Sequence, residues 1–141
     1  DKNPVTNISF HEAYAFAKWK NKRLPSEFEI EYLLKKSDIN GNFQEFGFLE
    51  PIEASDNHDL KNLYGNAWEW TSSHYLPYEG YEPWEKNLSE YNSKFMFNQL
   101  VLKGGSCFTP ISHIRASYRN FFYPTDRWAC NSFRLAKSVK V

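Results

Sequence analysis

The chain has 141 residues, with 17 Lys plus Arg against 17 Asp plus Glu, so its formal charge is zero and one domain of ordinary size fits its length. A hydrophobic share of 41% is enough for a core and excludes wholesale disorder. The balanced charge argues against a protein that holds nucleic acid by neutralising phosphates, and there is no run of about 18 apolar residues to span a membrane.

The first predicted element is a helix. Ser9-Phe10-His11-Glu12 reads as a capping box, in which the Ser hydroxyl and the Glu carboxylate each satisfy an orphan backbone N–H. Phe10, Ala13, Tyr14 and Ala17 then recur on one helical face, and Asn21 is a plausible stop. A second box, Ser26-Glu27-Phe28-Glu29, opens a helix with Phe28, Tyr32 and Leu33 available for burial. Lys35 and Lys36 suit the negative end of its dipole.

After Leu34 the helical signal stops, and Asp38 to Asn42 is turn chemistry. Ala67 to Thr71 alternates as a strand does, while Leu76 to Trp84 reads as an ordered loop. Gln99 to Lys103 is a short strand ending at Gly104-Gly105, where the glycines permit a turn or bulge. Ser132 to Ala136 predicts a last strand, so the pattern is α+β.

The chemistry-bearing residues are sparse. His11, His58, His74 and His113 form no HxxxH or HxD pattern, so no iron site is expected within the chain. Cys107 and Cys130 lie 23 residues apart, which matches no zinc spacing. Two free, partly buried thiols are expected, although one bridge between them stays open. Twelve Phe, nine Tyr and five Trp make 18% of the chain, a composition that suits either a rigid loop-rich core or a binding surface. Arg115, Arg119, Arg127 and Arg134 form a basic series late in the chain, and Arg grips carboxylates bidentately. Arg119 and Arg134 read as structural partners of acidic groups.

Five segments carry a resemblance: Pro4-Val5 with its helix, Arg23-Leu24-Pro25-Ser26-Glu27, the stretch from Asn62 to Thr71, Lys103-Gly104-Gly105-Ser106, and Phe133-Arg134-Leu135-Ala136. In this order they resemble the formylglycine-generating-enzyme/sulfatase-modifying-factor family. The resemblance implies an α+β, C-type-lectin-like fold with two early helices, short antiparallel strands and much irregular structure. It implies a single domain over residues 1–141 that lacks its N-terminal part.

Glu90 to Met96, Gln99, Gly104 to Cys107, His113 to Arg115, Tyr118 to Pro124 and Arg127-Trp128 look more narrowly like the C-terminal domain of ergothioneine-biosynthesis sulfoxide synthases. Cys130 and Asn131 depart from it, standing where an aromatic and a small residue are expected. Those enzymes use non-haem iron and O₂ to join a cysteine-type thiol to a histidine derivative, and ovothiol-type relatives are similar. The resemblance implies that Fe(II) comes from a missing upstream helical-bundle domain, and that this chain contributes cavity walls and thiol contacts. A cytoplasmic location is the expectation from the lack of an export-signal pattern.

In that picture Tyr91 is the catalytic proton donor, because a phenol delivers a proton without bringing charge into the pocket. Arg127, Trp128, Arg115, Phe121 and Phe122 are the implied substrate contacts; core packing of Phe121 and Phe122 is an equal alternative. Asn62, Gly65, Ala67 and Glu69 are the implied calcium ligands, an oxygen set of the kind hard cations take. The competing reading is that Asn62 and Glu69 merely cap a turn. The implied partners are small-molecule thiol and histidine-derived substrates and the iron-binding domain, with no nucleic acid and no membrane. A non-catalytic lectin-like binding domain is the alternative. A formylglycine-generating sulfatase activator is disfavoured, because the stretch after Gly-Gly-Ser holds one cysteine where copper needs two.

Overall fold

A computed structural model of the chain describes residues 2–54, 60–83 and 95–139. Helix α1 spans Phe10–Trp19 and helix α2 spans Glu27–Lys35, and each opens on the capping box read from sequence. The Ser9 N–H donates to Glu12 Oε2 at 2.8 Å and the Ser26 N–H donates to Glu29 Oε2 at 2.8 Å. Helix α1 buries Ala13 and Ala17, while Tyr14 faces solvent. Two small residues let the helix backbone approach the core closely.

Helix α2 turns a different face inward from the one expected. Phe28 and Tyr32 are exposed, and Glu27, Ile30 and Leu34 are buried. The reason is electrostatic. Glu27 lies 2.8 Å from Arg119 Nε and accepts from the Tyr78 hydroxyl at 3.0 Å. One turn on, Glu31 meets Lys103 at 3.1 Å. Two cations inside the fold therefore draw the acidic face of α2 onto the sheet.

The strands are β1 (Gly41–Asn42), β2 (Tyr64–Gly65), β3 (Trp68–His74), β4 (Leu100–Lys103), β5 (Asn120–Phe122) and β6 (Asn131–Phe133). β1 and β2 pair in parallel, and the main sheet has the order β5-β4-β3-β6. β3 and β4 run antiparallel with Trp70 opposite Leu102, whereas β6 runs parallel to β3 with Trp68 opposite Asn131. Trp70, Tyr64, Phe43, Ile30, Leu34 and Leu102 fill the core between this sheet and the helices. The Tyr64 hydroxyl finds its partner in the Leu34 carbonyl at 3.0 Å, as a buried phenol requires.

The glycine pair after β4 works as expected. Gly104 has φ +96° and Gly105 φ +89°, and a Cβ on Gly104 would stand 2.8 Å from the Leu63 carbonyl oxygen. Only glycine fits that combination of left-handed backbone and close approach. β5 is a strand the sequence did not signal, since Asn-Phe-Phe carries no period of two.

Candidate functional site

Phe122, Arg127 and Trp128 come together at one corner of the fold. β5 presents Phe122, and the loop after it carries the other two. Asn7, whose backbone sits at φ +58°, holds that loop with its side-chain amide, which donates to the Arg127 and Ala129 carbonyls at 3.3 and 3.2 Å. Arg127 Nε returns a bond to the Asn7 carbonyl at 3.4 Å and lies 3.4 Å from Glu12. A chain of edge-to-face rings connects the corner to the core: Phe10 to Trp70 at 6.0 Å, Trp70 to Phe122 at 6.5 Å, and Phe122 to Trp128 at 4.8 Å.

The outer end of that chain is open. Trp128 is 71% exposed, and among the described residues only Nε of Arg127 is bonded. A guanidinium with free Nη groups beside an exposed indole suits a ligand with a carboxylate at one end and a soft or apolar part at the other.

The remaining candidates lie apart from this corner. Successive strand residues face opposite ways, so Phe121 stacks on Tyr75 at 4.1 Å and 13° on the other side of β5. Phe121 is half-buried and packs on Tyr75, away from Trp128. Arg115 lies over the Tyr118 ring at 5.3 Å, in a group with His113, whose ring sits 4.7 Å from Tyr118. Tyr91, His58 and Trp84 lie outside the described residues.

The loop from Asn62 to Glu69 is arranged around a cation, and that cation is a side chain. Both oxygens of Glu69 accept hydrogen bonds from Arg134, whose Nη2 also donates to the Asn62 carbonyl at 3.2 Å. The Gly65 carbonyl accepts from Ala67 N at 2.7 Å. The Glu69 carboxylate and the Asn62 and Gly65 carbonyls are thus engaged within the protein, whereas the Asn62 side-chain amide and the Ala67 carbonyl are not part of that network. Arg134 and Arg119 thus take the structural roles expected of them. Among the described residues, no group of three or more His, Cys, Asp or Glu stands close enough to hold a metal.

The sequence left open whether Cys107 and Cys130 come together; the fold brings them to one place. Cys107 N donates to the Asn66 carbonyl at 3.0 Å, and Cys130 Sγ donates to the same oxygen at 3.4 Å. One carbonyl oxygen thus brings the two cysteines to the same place. Burial pushes both upward, and the neighbouring Cys107 adds to the shift that brings Cys130 to about 12. The signals in the sequence were the presence of two cysteines and the departure at Cys130 and Asn131.

Two cavities lie elsewhere. A groove of about 480 Å³ runs between α2 and residues 134–137, and one of about 440 Å³ is lined by Asn42, Asn62 and Asn66. Neither is lined by Phe122, Arg127 or Trp128.

The family model for the sulfatase-modifying factor enzyme 1-like domain matches residues 1–139. The chain belongs to this sulfatase-modifying factor family. Among its relatives, the hercynine oxygenase of Mycolicibacterium smegmatis is 29% identical over 96% of this chain and 38% of the relative. The ergothioneine biosynthesis protein 1 of Schizosaccharomyces pombe is 28% identical over 92% of this chain and 18% of the relative. The chain therefore spans well under half the length of these relatives. Among solved structures, that of PvdO from Pseudomonas aeruginosa matches 95% of this chain and 61% of its own, with a TM-score of 0.68 at 16% identity, which establishes a shared fold. The fold class read from the family resemblance, an α+β sulfatase-modifying-factor domain, is the one found. No helix among the described residues is long and apolar enough to cross a membrane.

Proposed function

We propose that this sulfatase-modifying-factor domain binds the thiol substrate of an enzyme that forms a C–S bond in ergothioneine- or ovothiol-type biosynthesis. The relatives' names support the reaction class. The observation that carries the thiol-binding role is the exposed corner of Phe122, Arg127 and Trp128.

Cysteine and γ-glutamylcysteine each pair a carboxylate with a sulfur. The free Nη groups of Arg127 take the carboxylate, and the faces of Trp128 and Phe122 cover the methylene and sulfur, which pack favourably on aromatic rings. The corner is open on one side, and we assign that side to a second domain outside this chain. Fe(II), held by that domain, would supply the activation of O₂. Tyr91 takes the role of proton donor, its phenol oxygen acting on the reacting atoms without adding charge. The histidine-derived substrate completes the cavity.

The reading is tested on the full-length protein by calorimetric titration of cysteine and γ-glutamylcysteine. Arg127→Ala should weaken thiol binding at least tenfold and Trp128→Ala several-fold, with melting temperatures unchanged. Binding that survives both substitutions intact would refute the assignment.

A further inference from the structure

Cys107 and Cys130 belong to segments distant in sequence, yet the backbone seats them on the same three residues. Cys107 N donates to the Asn66 carbonyl at 3.0 Å, and Trp68 N donates to the Cys130 carbonyl at 2.9 Å. Cys130 Sγ then reaches the Asn66 carbonyl at 3.4 Å. The stretch Asn66-Ala67-Trp68 is itself anchored. Asn66 N donates to the Asn42 carbonyl at 2.9 Å, and the Asn66 side chain clasps both Ile52 backbone groups at 3.0 and 3.1 Å. Both cysteines are therefore held against one anchored segment, with Cys107 N and Cys130 Sγ on the same carbonyl oxygen. A disulfide forms with little strain where the fold already holds the two residues together.

We propose that Cys107 and Cys130 are a modification site: a dithiol that closes to an intramolecular disulfide by exchange with a low-molecular-weight disulfide. Cys107 is fully buried and Cys130 is partly exposed, so Cys130 reacts first. Its thiolate attacks one sulfur of the small disulfide, breaks that S–S bond and expels one small thiol. The Cys107 thiolate then attacks Cys130 Sγ, forms the protein S–S bond and expels the second small thiol. The protein pair loses two electrons and two protons, and one small disulfide becomes two small thiols. The product ties the turn after β4 to the entry of β6, and so fixes the loop that carries Arg127 and Trp128.

The same burial makes the site slow at neutral pH. Exchange needs the thiolate, and burial together with the Cys107 thiol raises Cys130 to about 12. Burial also raises Cys107, and the carboxylate of Glu50 adds to that shift. The rate should therefore climb close to tenfold per pH unit between pH 8 and 10, as the thiolate fraction does.

The full chain is incubated, folded and without denaturant, with oxidised glutathione or cystine, and read by intact mass and peptide mapping. The expected product has lost two hydrogens, links the Cys107 and Cys130 peptides, and melts at a higher temperature than the reduced form, with full reversal by a dithiol reductant. Cys107→Ser should stop at a mixed disulfide on Cys130, and Cys130→Ser should react only on unfolding. A stable mixed disulfide on the wild-type chain, a link that forms only in denaturant, or no reaction at pH 10 would each overturn the proposal.

Discussion

Lys103 is fully buried, and its ammonium lies 3.1 Å from the Glu31 carboxylate at the junction of β4 and α2. Burial shifts the Lys103 pKa downward, Glu31 and the more distant Glu27 oppose that shift, and the Arg119 guanidinium adds to it. Glu31 has a further partner in Lys35 at 2.8 Å. The two members of the pair are therefore unequal. Glu31→Gln strands a buried cation and should cost roughly 3 kcal/mol. Lys103→Met removes the cation and leaves Glu31 with Lys35, so it should cost distinctly less. Urea unfolding of both variants checks the order, and an equal or reversed order would mean that Lys103 is solvated.

Trp128 and Phe121 are close in sequence and opposite in role. Trp128→Ala truncates an exposed ring and should change stability by less than about 0.5 kcal/mol. Phe121→Ala removes a ring stacked 4.1 Å from Tyr75 and should cost about 2 to 4 kcal/mol. Thermal unfolding separates them. A large loss at Trp128 would place that indole in the core and remove it from any ligand surface.

Acid should weaken the start of α2. The Arg23 guanidinium, with the Ser26 N–H, holds Glu29 down from 4.5 to about 2. A carboxylate depressed on folding stabilises at pH values above its unfolded pKa, and loses that contribution as pH falls through the folded one. The stabilisation should therefore be complete above about pH 5 and fade between 4.5 and about 2. The Glu29 side chain is 45% exposed, which limits the effect through solvent screening. Glu29→Gln should flatten the stability profile in that window; an unchanged slope would show that the pair contributes nothing.

Gly104→Ala should destabilise by about 1 to 3 kcal/mol, the usual penalty for a non-glycine residue forced to a left-handed backbone. The added Cβ would also press the Leu63 carbonyl oxygen at 2.8 Å. Gly80→Ala makes the comparison, because Gly80 shares a positive φ of +77° but has no atom within 4 Å of its would-be Cβ. Chemical denaturation should show the larger loss at Gly104, and equal losses would mean that the close approach to Leu63 is relieved at no cost.

Local chemistry determined a good deal of this protein by itself. Both capping boxes are written in Ser-x-x-Glu, and each helix starts where its box is, because the interaction is complete within four residues. The turn at Gly104-Gly105 and the strands around Trp70 and Val101 follow equally from near neighbours. The order of five short segments was enough to point to the family, since motif order survives where pairwise identity is low. What lay beyond sequence were the relations between residues far apart along the chain. The inward face of α2 was decided by Lys103 and Arg119, which lie more than seventy residues downstream of it. The cation at Glu69 is Arg134, sixty-five residues away. Cys107 and Cys130 come to one place only because both dock on Asn66-Ala67-Trp68. Buried charges and thiols settle on the partner that best offsets their desolvation, and that partner is chosen by the closed fold rather than by the local stretch of chain.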